Sequence, residues 1–204
     1  MITVVGNLKG GTGKSTIVFN LAIWLLHTNG RVAVYDLDPQ ATLSDVAELR
    51  SEEGFKPLLS VASGLPEHSF EETLIDIGVS NTVGLYAALA RADRVIIPVS
   101  PSQADVWSTQ RFLHVIRTAR TKAPILCAFI NRADTHPTAR ENAETEAALR
   151  QLSGLEVLSV RLAQRVAFRH SFSEGLAVFE LEPSGKASQE LMALAEAVYG
   201  ADGH

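Results

Sequence analysis

Short apolar runs alternate along the chain with longer stretches in which apolar residues recur at three-four spacing. Six runs rich in Val, Ile and Leu are typical of buried strands, at residues 2–5, 32–35, 73–77, 94–99, 125–130 and 155–160. Helix-like stretches follow at residues 14–27, 83–90, 104–119, 138–152 and 184–199. This alternation predicts an α/β fold, a mostly parallel twisted sheet with helices on both faces.

Residues 51–70 interrupt the alternation. They mix Gly and Pro with charges of both signs, which is typical of a surface excursion. The sequence shows no internal repeat and no low-complexity tract. A chain of 204 residues is long enough to bury a full core, and we expect a single domain over residues 1–204.

Composition limits the cellular compartments and the binding partners that this protein is expected to have. The single cysteine, Cys127, excludes a disulfide framework and a multi-cysteine metal or iron-sulfur site within one subunit. The chain opens on a strand-like run without a secretory signal pattern, so we expect a cytoplasmic protein. A net charge of -5 argues against a uniformly basic nucleic-acid binder but leaves local basic patches open.

The segment GNLKGGTGKST, residues 6–16, follows the first apolar run and precedes a helix-like stretch. Glycines let successive backbone N–H groups point at one phosphate, and the helix dipole adds positive potential there. Lys14 suits the outer phosphates of a nucleotide, and the Ser15 hydroxyl suits Mg²⁺. A plain glycine-rich turn would not require the ordered Gly-Lys-Ser-Thr. The predicted nucleotide-binding residues here are Lys9, Gly10, Gly11, Thr12, Gly13, Lys14, Ser15 and Thr16.

One departure from the usual GxxxxGK[ST] pattern is informative. Leu8 stands where the pattern has glycine, and Lys9 comes next. KGGTGKST thereby resembles the deviant Walker A motif of the ParA/MinD group of ATPases, which implies a P-loop NTPase fold and Mg-ATP hydrolysis. In that group the first lysine reaches across a nucleotide-sandwich dimer, so the resemblance implies that Lys9 contacts the phosphates of the partner subunit in an ATP-state homodimer. A solvated loop lysine is the alternative.

An acidic segment, YDLDPQ at residues 35–40, ends the second apolar run. It resembles the family's DxDPQ segment, and carboxylates at alternating strand positions face the same way. The resemblance implies that Asp38 orients or activates the attacking water and that Asp36 helps to organise magnesium. Taken alone, the segment could instead be a turn with a helix cap.

The run LIDIG, residues 74–78, places Asp76 at the end of a buried strand, as the Walker B position requires. Asp76 is expected to hold Mg²⁺ through water, because an unpaired buried carboxylate would otherwise be costly. Gly78 would let the backbone pass close to the γ-phosphate. The predicted metal residues are Ser15, Asp36 and Asp76, and the predicted catalytic residues are Lys9, Lys14 and Asp38.

Two later strand ends are candidate nucleotide contacts. IIPVSPS, residues 96–102, resembles the family's strand and loop beside the nucleotide, which implies a contact from Pro101. A strand stopped by prolines is the plain alternative. AFINR, residues 128–132, places Asn131 where related ATPases hold adenine, with Arg132 next to it. A satisfied strand-end amide competes with that assignment.

Residues 161–180 resemble the C-terminal ParA pattern, in which an arginine-bearing stretch precedes a glycine and a V-F-E element. Arg165 and Arg169 are four residues apart, so they are predicted to share a helix face beside His170 that binds phosphates of nonspecific DNA. A second basic group is better explained by dipole compensation at a helix end and by solvation. Its members are Arg111, Arg117, Arg120 and Lys122.

In motif order the chain resembles a small ParA-type, ParF-like partition ATPase without the N-terminal DNA-reading domain of larger relatives. The resemblance implies an ATP-dependent homodimer that is nucleoid-associated, binds DNA without sequence preference and releases it when a small adaptor protein stimulates hydrolysis. The cargo would be a plasmid, a chromosome or a protein organelle such as the carboxysome. ATP and Mg²⁺ are the expected cofactors.

The same scaffold would also suit two other functions. A MinD-like protein would bind membranes through a C-terminal amphipathic helix, but residues 188–204 lack Lys and Arg and carry Glu190, Glu196 and Asp202, so we expect no membrane binding. A metabolic enzyme is the other alternative. The single cysteine removes an iron-sulfur reductase, whereas a small-molecule ligase stays open.

Overall fold

Seven parallel strands form one sheet in the computed structural model, which describes residues 1–28, 30–67, 70–119, 123–136 and 138–200. The strands are β1 (Ile2–Val5), β2 (Ala33–Asp36), β3 (Val61–Ser63), β4 (Thr73–Asp76), β5 (Arg94–Val99), β6 (Ile125–Ala133) and β7 (Glu156–Ala163). Their spatial order is β3-β2-β4-β1-β5-β6-β7, and every adjacent pair is parallel. The predicted parallel sheet is confirmed.

Helices cover both faces of this sheet. They are α1 (Lys14–Thr28), α2 (Thr42–Glu52), α3 (Thr82–Arg91), α4 (Gln103–Ala119), α5 (Glu141–Leu149), α6 (Val166–Ser173), α7 (Val178–Leu181) and α8 (Lys186–Tyr199). One buried cluster joins the sheet to α1 and α8 through residues such as Phe19 and Leu194. A second cluster joins the opposite face to α3 and α4 through Leu89 and Phe112. No helix in the described ranges is both long and apolar enough to cross a bilayer.

The strand order brings three sequence motifs to one edge of the sheet. Because all strands run the same way, their carboxyl ends lie together, which is where open α/β sheets bind ligands. β4 lies between β1 and β2, and Asp76 is in register with Val5 on one side and Asp36 on the other. The loop after β1 and the two acidic strand ends are therefore neighbours in space, although 70 residues separate the first from the last.

The structure departs from the prediction mainly between β2 and β4. Residues 42–52 form α2, which the sequence pattern did not predict, and β3 lies inside the stretch predicted to be irregular. The core-facing positions of α2 are Leu43, Val46, Ala47 and Arg50, so a charged residue interrupts the apolar face. Helix α5 is also shorter than the predicted 138–152, ending at Leu149. The single-domain assignment for residues 1–204 stays a prediction.

Arg50 is fully buried and ties α2 to the C-terminal third of the chain. Its guanidinium donates to both carboxylate oxygens of Glu180 at 2.7 and 2.8 Å, and to the carbonyls of Gly175 at 2.9 Å and Pro57 at 2.8 Å. Burial alone would raise the pKa of Glu180, but the hydrogen bonds from Arg50 and from the Ala177 N–H outweigh it and lower that pKa. The V-F-E element therefore anchors α2 to the C-terminal third of the chain, through the pair of Glu180 with the buried Arg50.

Gly175 is required at this junction for two reasons. Its φ of 72° lies in the left-handed region, directly after α6, where glycine is favoured. A Cβ at this position would also lie 3.0 Å from the backbone N and Cα of Arg50. The glycine that precedes the V-F-E element thus lets α6 and α2 approach closely.

Replacing Arg50 with Ala should lower the free energy of unfolding by about 3 kcal/mol or more, because Glu180 would keep its position without a counter-charge. Urea denaturation measures this loss. Arg150→Ala is the matched control, since the Arg150 side chain is 49% exposed and pairs with Glu146, and its loss should be about 0.5 kcal/mol. Equal losses in the two variants would contradict the anchoring role of Arg50.

Candidate active site

The loop between β1 and α1 has the curled backbone that its glycines predicted. Gly11 and Gly13 have φ values of 74° and 86°, and α1 begins at Lys14 directly after them. A Cβ added to Gly13 would lie 2.7 Å from the Asn131 side-chain nitrogen. The loop therefore curls immediately before the start of α1, where the helix dipole favours an anion.

Two polar groups inside this loop fit a phosphate ligand. The Lys14 side chain begins α1 and the residue is only 7% exposed. The Thr12 hydroxyl is buried and makes no hydrogen bond to the described residues. A buried hydroxyl donor is stable only with an acceptor beside it, and a phosphate supplies one. The loop residues thus fit the nucleotide that the sequence predicted.

Asp76 is the most buried acid at this edge. It is 0% exposed, and within the described residues neither carboxylate oxygen accepts a hydrogen bond of normal geometry. The pKa of Asp76 is raised to about 7. Burial is the largest cause and the charges of Asp36 and Asp38 add to it, whereas the nearby Ser15 hydroxyl and Lys14 ammonium act in the opposite direction. Ser15 and Asp76 are therefore close together, as the predicted metal site requires.

Asp36 makes the capping contact that the sequence left open as an alternative. Helix α2 begins after Ala41, whose side chain cannot cap it and whose φ is 53°. Asp36 replaces that cap, because its Oδ2 accepts from the backbone N–H of Ser44 at 3.1 Å and from the Ser44 hydroxyl at 3.2 Å. Its Oδ1 accepts from the backbone N–H of Asp38 at 3.0 Å. A role in organising magnesium stays a prediction.

Asp38 lies directly above the backbone that follows β4. Its Oδ1 accepts from the backbone N–H of Gln40 at 3.0 Å. A Cβ added to Gly78 would lie 2.5 Å from the Asp38 carboxylate carbon, so only glycine leaves room for this side chain. The Asp38 carboxylate thus occupies the space beside the strand end that carries Asp76.

Asn81 is a site residue that the sequence reasoning missed. It caps α3, since its Oδ1 accepts from the Gly84 N–H at 2.9 Å, and its Nδ2 donates to the Leu37 carbonyl at 3.0 Å. The loop after β4 is thereby fastened to the loop that carries Asp36 and Asp38. An Asn before a helix-like run is a recognised N-cap signal, so the cap could have been found from sequence, but the Leu37 contact could not.

Lys9 has a partner that the sequence reasoning also missed. Its ammonium lies 2.5 Å from Oδ2 of Asp105 in the first turn of α4. Ser102 and Asp105 form the S-x-x-D pattern of a capping box, which was readable in the sequence, whereas the pairing with Lys9 was not. Lys9 is therefore an ion-paired residue and not a freely solvated loop lysine.

A cavity of about 490 Å³ opens beside the loop, between the start of α1 and the ends of β6 and β7. Asn131 lines it and donates to the Thr12 carbonyl at 2.7 Å, so this amide braces the phosphate loop. Arg132 also lines it with a φ of 57°, a conformation that non-glycine residues rarely adopt outside functional sites. The contact of Asn131 with adenine and that of Arg132 with the nucleotide stay predictions.

Arg165 and Arg169 line the same cavity. Arg165 precedes α6 and is not part of it, and its guanidinium is paired with Glu190 of α8 at 2.6 Å. Arg169 lies within α6, is exposed, and has no ion pair to any residue that the structure describes. The two arginines therefore differ in availability to DNA, and their DNA contacts stay predictions.

The remaining candidates lie away from the cavity. Pro101 precedes Ser102, whose hydroxyl contacts the Asp105 carboxylate that holds Lys9, and Pro101 does not line the cavity. In the second basic group, Arg117 lies in the last turn of α4 and donates to the Ser153 carbonyl at 2.6 Å. Arg120 and Lys122 of that group lie outside the described residues.

Known proteins resemble this chain in both sequence and fold. The maintenance of carboxysome distribution protein A of Halothiobacillus neapolitanus is 29% identical over 198 residues, covering 91% of this chain and 90% of that protein. The apo McdA structure from Cyanothece superposes with a TM-score of 0.78 at 18% identity, covering 97% and 98% of the two chains.

A structure of a putative plasmid partition protein from Borrelia burgdorferi bound to AMPPNP gives a TM-score of 0.76 at 19% identity, covering 98% of both chains. The profile of the CobQ/CobB/MinD/ParA nucleotide binding domain matches residues 3–178. The fold likeness confirms the predicted P-loop NTPase fold, and the profile covers all three motifs at the sheet edge. The chain belongs to this family and is a nucleotide-binding ATPase of the ParA and MinD type.

Proposed function

We propose that this chain is an ATP-dependent dimerising ATPase that binds DNA without sequence preference and positions or partitions a cargo. The observation that carries the proposal is the phosphate loop with two lysines, one buried at the start of α1 and one at the loop entrance. Lys14 serves the nucleotide of its own subunit. Lys9, with its side chain 45% exposed, is the one able to serve the nucleotide of a partner subunit.

Magnesium belongs to the same proposal. Asp76, Ser15 and the phosphates of ATP would hold the ion, which would neutralise charge that develops on the phosphates. Neither buried oxygen of Asp76 accepts a hydrogen bond of normal geometry from the residues that the structure describes, and carboxylate oxygens are ligands of the kind that Mg²⁺ prefers. Asp38 would orient the attacking water from its place beside Gly78.

The names of relatives suggest the cargo class. One relative distributes carboxysomes and one structural neighbour is a putative plasmid partition protein. We infer that this chain likewise positions a large cargo, a plasmid, a chromosome or a protein organelle, and that a small adaptor protein on the cargo stimulates hydrolysis. The protein would act in the cytoplasm on the nucleoid.

The packing of α8 argues against a membrane as the surface to which this helix binds. The apolar side of α8 is buried against the rest of the protein, with Leu191 and Leu194 both 0% exposed. Exposing that face to lipid would remove these residues from the core, at a cost of roughly 2 kcal/mol for each large side chain. A role for α8 as a membrane-binding helix therefore has no support in this packing.

Two lysine variants test the dimer. Lys14→Ala should weaken Mg-ATP binding roughly tenfold or more, because it removes a charged donor to the phosphates. Lys9→Ala should still bind Mg-ATP but stay monomeric in light scattering and lose ATP-dependent retention on nonspecific DNA. Lys186→Ala, at an exposed lysine that begins α8, is the control and should match wild type. The proposal would be contradicted if Lys9→Ala dimerised at the same ATP concentrations as the wild-type protein.

A second prediction concerns Asp76 and pH. The folded pKa of about 7 lies above the unfolded value of 3.8, so the charged carboxylate costs stability progressively from about pH 4 to pH 7 and fully above it. Asp76→Asn should therefore raise the free energy of unfolding of the nucleotide-free protein by about 2 kcal/mol at pH 8, with little change at pH 4. Urea denaturation at both pH values measures this difference.

The same Asp76→Asn variant should lose the stabilisation that Mg²⁺ adds in the presence of ATP, since its amide is a poorer magnesium ligand than a carboxylate. Asp45→Asn, at an exposed position in the first turn of α2, is the control and should respond to Mg²⁺ like wild type. A pH-independent effect of Asp76→Asn would show that the buried charge is not what destabilises the apo protein.

A third prediction concerns Arg169, the exposed one of the two arginines that are predicted to contact DNA. Arg169→Ala should weaken DNA retention uniformly across sequences and reduce the slope of log affinity against log salt by about 1. Arg150→Ala, at an exposed residue paired with Glu146, should leave the slope unchanged. Because Arg169 also lines the cavity, ATP binding is measured in parallel. An unchanged salt slope would exclude Arg169 as a phosphate contact.

A further inference from the structure

The Lys9–Asp105 ion pair is asymmetric in its exposure. The Lys9 side chain is 45% exposed, whereas the Asp105 side chain is 1% exposed, and the two charged atoms lie 2.5 Å apart. The carboxylate is therefore fixed inside the protein, while the ammonium sits at the end of a flexible stem that reaches solvent. Only the lysine end of this pair is able to move to another anion.

Asp105 is held in place by its own helix start. Its backbone N–H donates to the Ser102 hydroxyl oxygen at 3.1 Å, and that hydroxyl donates to Oδ2 of Asp105 at 2.5 Å. Oδ1 is buried and has no hydrogen-bond partner among the described residues. A buried carboxylate with one unsatisfied oxygen depends strongly on its counter-charge, and Lys9 supplies it.

The backbone of Lys9 is fixed by the same helix. The Lys9 N–H donates to Oδ1 of Asn7 at 3.1 Å, and the Ser108 hydroxyl of α4 donates to the same oxygen at 3.1 Å. Asn7 in turn donates to the Pro98 carbonyl at 3.0 Å. The first two turns of α4 therefore hold both the main chain and the side chain at the loop entrance.

We propose that Asp105 is a positioning residue that keeps Lys9 inside its own subunit until the phosphates of a partner-bound nucleotide replace the carboxylate. This inference rests on the proposed function, in which Lys9 serves the partner's nucleotide. Transfer of the ammonium leaves the Asp105 carboxylate buried and without its counter-charge. That cost opposes dimerisation, so the Lys9–Asp105 pair raises the ATP concentration at which two subunits join.

The first test needs no nucleotide. Lys9→Ala should lower the Tm of the nucleotide-free protein, because Asp105 is left buried without its partner, and adding Asp105→Asn should restore most of that loss. Asn keeps the acceptor for the Ser102 hydroxyl and removes the charge. Thermal unfolding of wild type, both single variants and the double variant measures the coupling. Strictly additive changes would overturn the inference whether or not the protein dimerises.

The second test follows dimer formation. Asp105→Asn alone should lower the midpoint Mg-ATP concentration for dimerisation, measured by light scattering, by roughly three- to tenfold. Asp45→Asn removes a first-turn carboxylate from α2 in the same way and should leave the midpoint unchanged. If the Tm changes are non-additive but the ATP midpoint for dimerisation is unchanged, the Lys9–Asp105 pair is purely structural and the positioning role of Asp105 is overturned.

Different results would contradict the proposed function and the positioning role of Asp105. Wild-type protein that stays monomeric at saturating Mg-ATP contradicts the proposed function, and the positioning role of Asp105 then falls with it. Wild-type protein that dimerises while Asp105→Asn shows no shift contradicts the inference alone. A raised midpoint in Asp105→Asn would also overturn it, because the carboxylate would then assist the dimer.

Discussion

The register of β2 and β4 is the constraint on which the active site depends. It places Asp36 and Asp76 opposite each other at the carboxyl edge of the sheet, where two like charges raise each other's cost. The protein offsets that cost for Asp36 with the cap of α2, but gives Asp76 no hydrogen-bond donor of normal geometry in the described residues. The charge on Asp76 is thus costly in the nucleotide-free protein, and a cation bound beside it, such as the proposed Mg²⁺, would reduce that cost.

Much of the fold could be predicted because buried parallel strands leave an unambiguous pattern. β1 and β5 begin and end at the predicted residues, and β2 and β4 differ by one residue. The pattern failed at α2 because Arg50 occupies a core-facing position there, and a charged residue is not counted as core until its partner is known. It failed at β3 because an edge strand of three residues buries too little to show alternation.

The site was predictable to the extent that it is local. The phosphate loop and the acid at each strand end lie within short motifs, and the structure brings Ser15, Lys14, Asp76 and Asn131 together around them. The pairs that hold the site in shape are long-range: Lys9 with Asp105, and Asn81 with Leu37. One sequence shows that Ser102 and Asp105 can cap a helix, but it does not show which distant cation lies above that cap.

Helix α2 is connected to other parts of the protein at both of its ends. Its first turn is fastened to Asp36, and its last turn is fastened through Arg50 to Glu180, beyond the segment that carries Arg169. Eleven residues of helix span about 16 Å and resist compression along the axis. A shift of the loop that carries Asp36 would therefore be passed along α2 to the segment that contains Glu180, which follows the helix that carries Arg169.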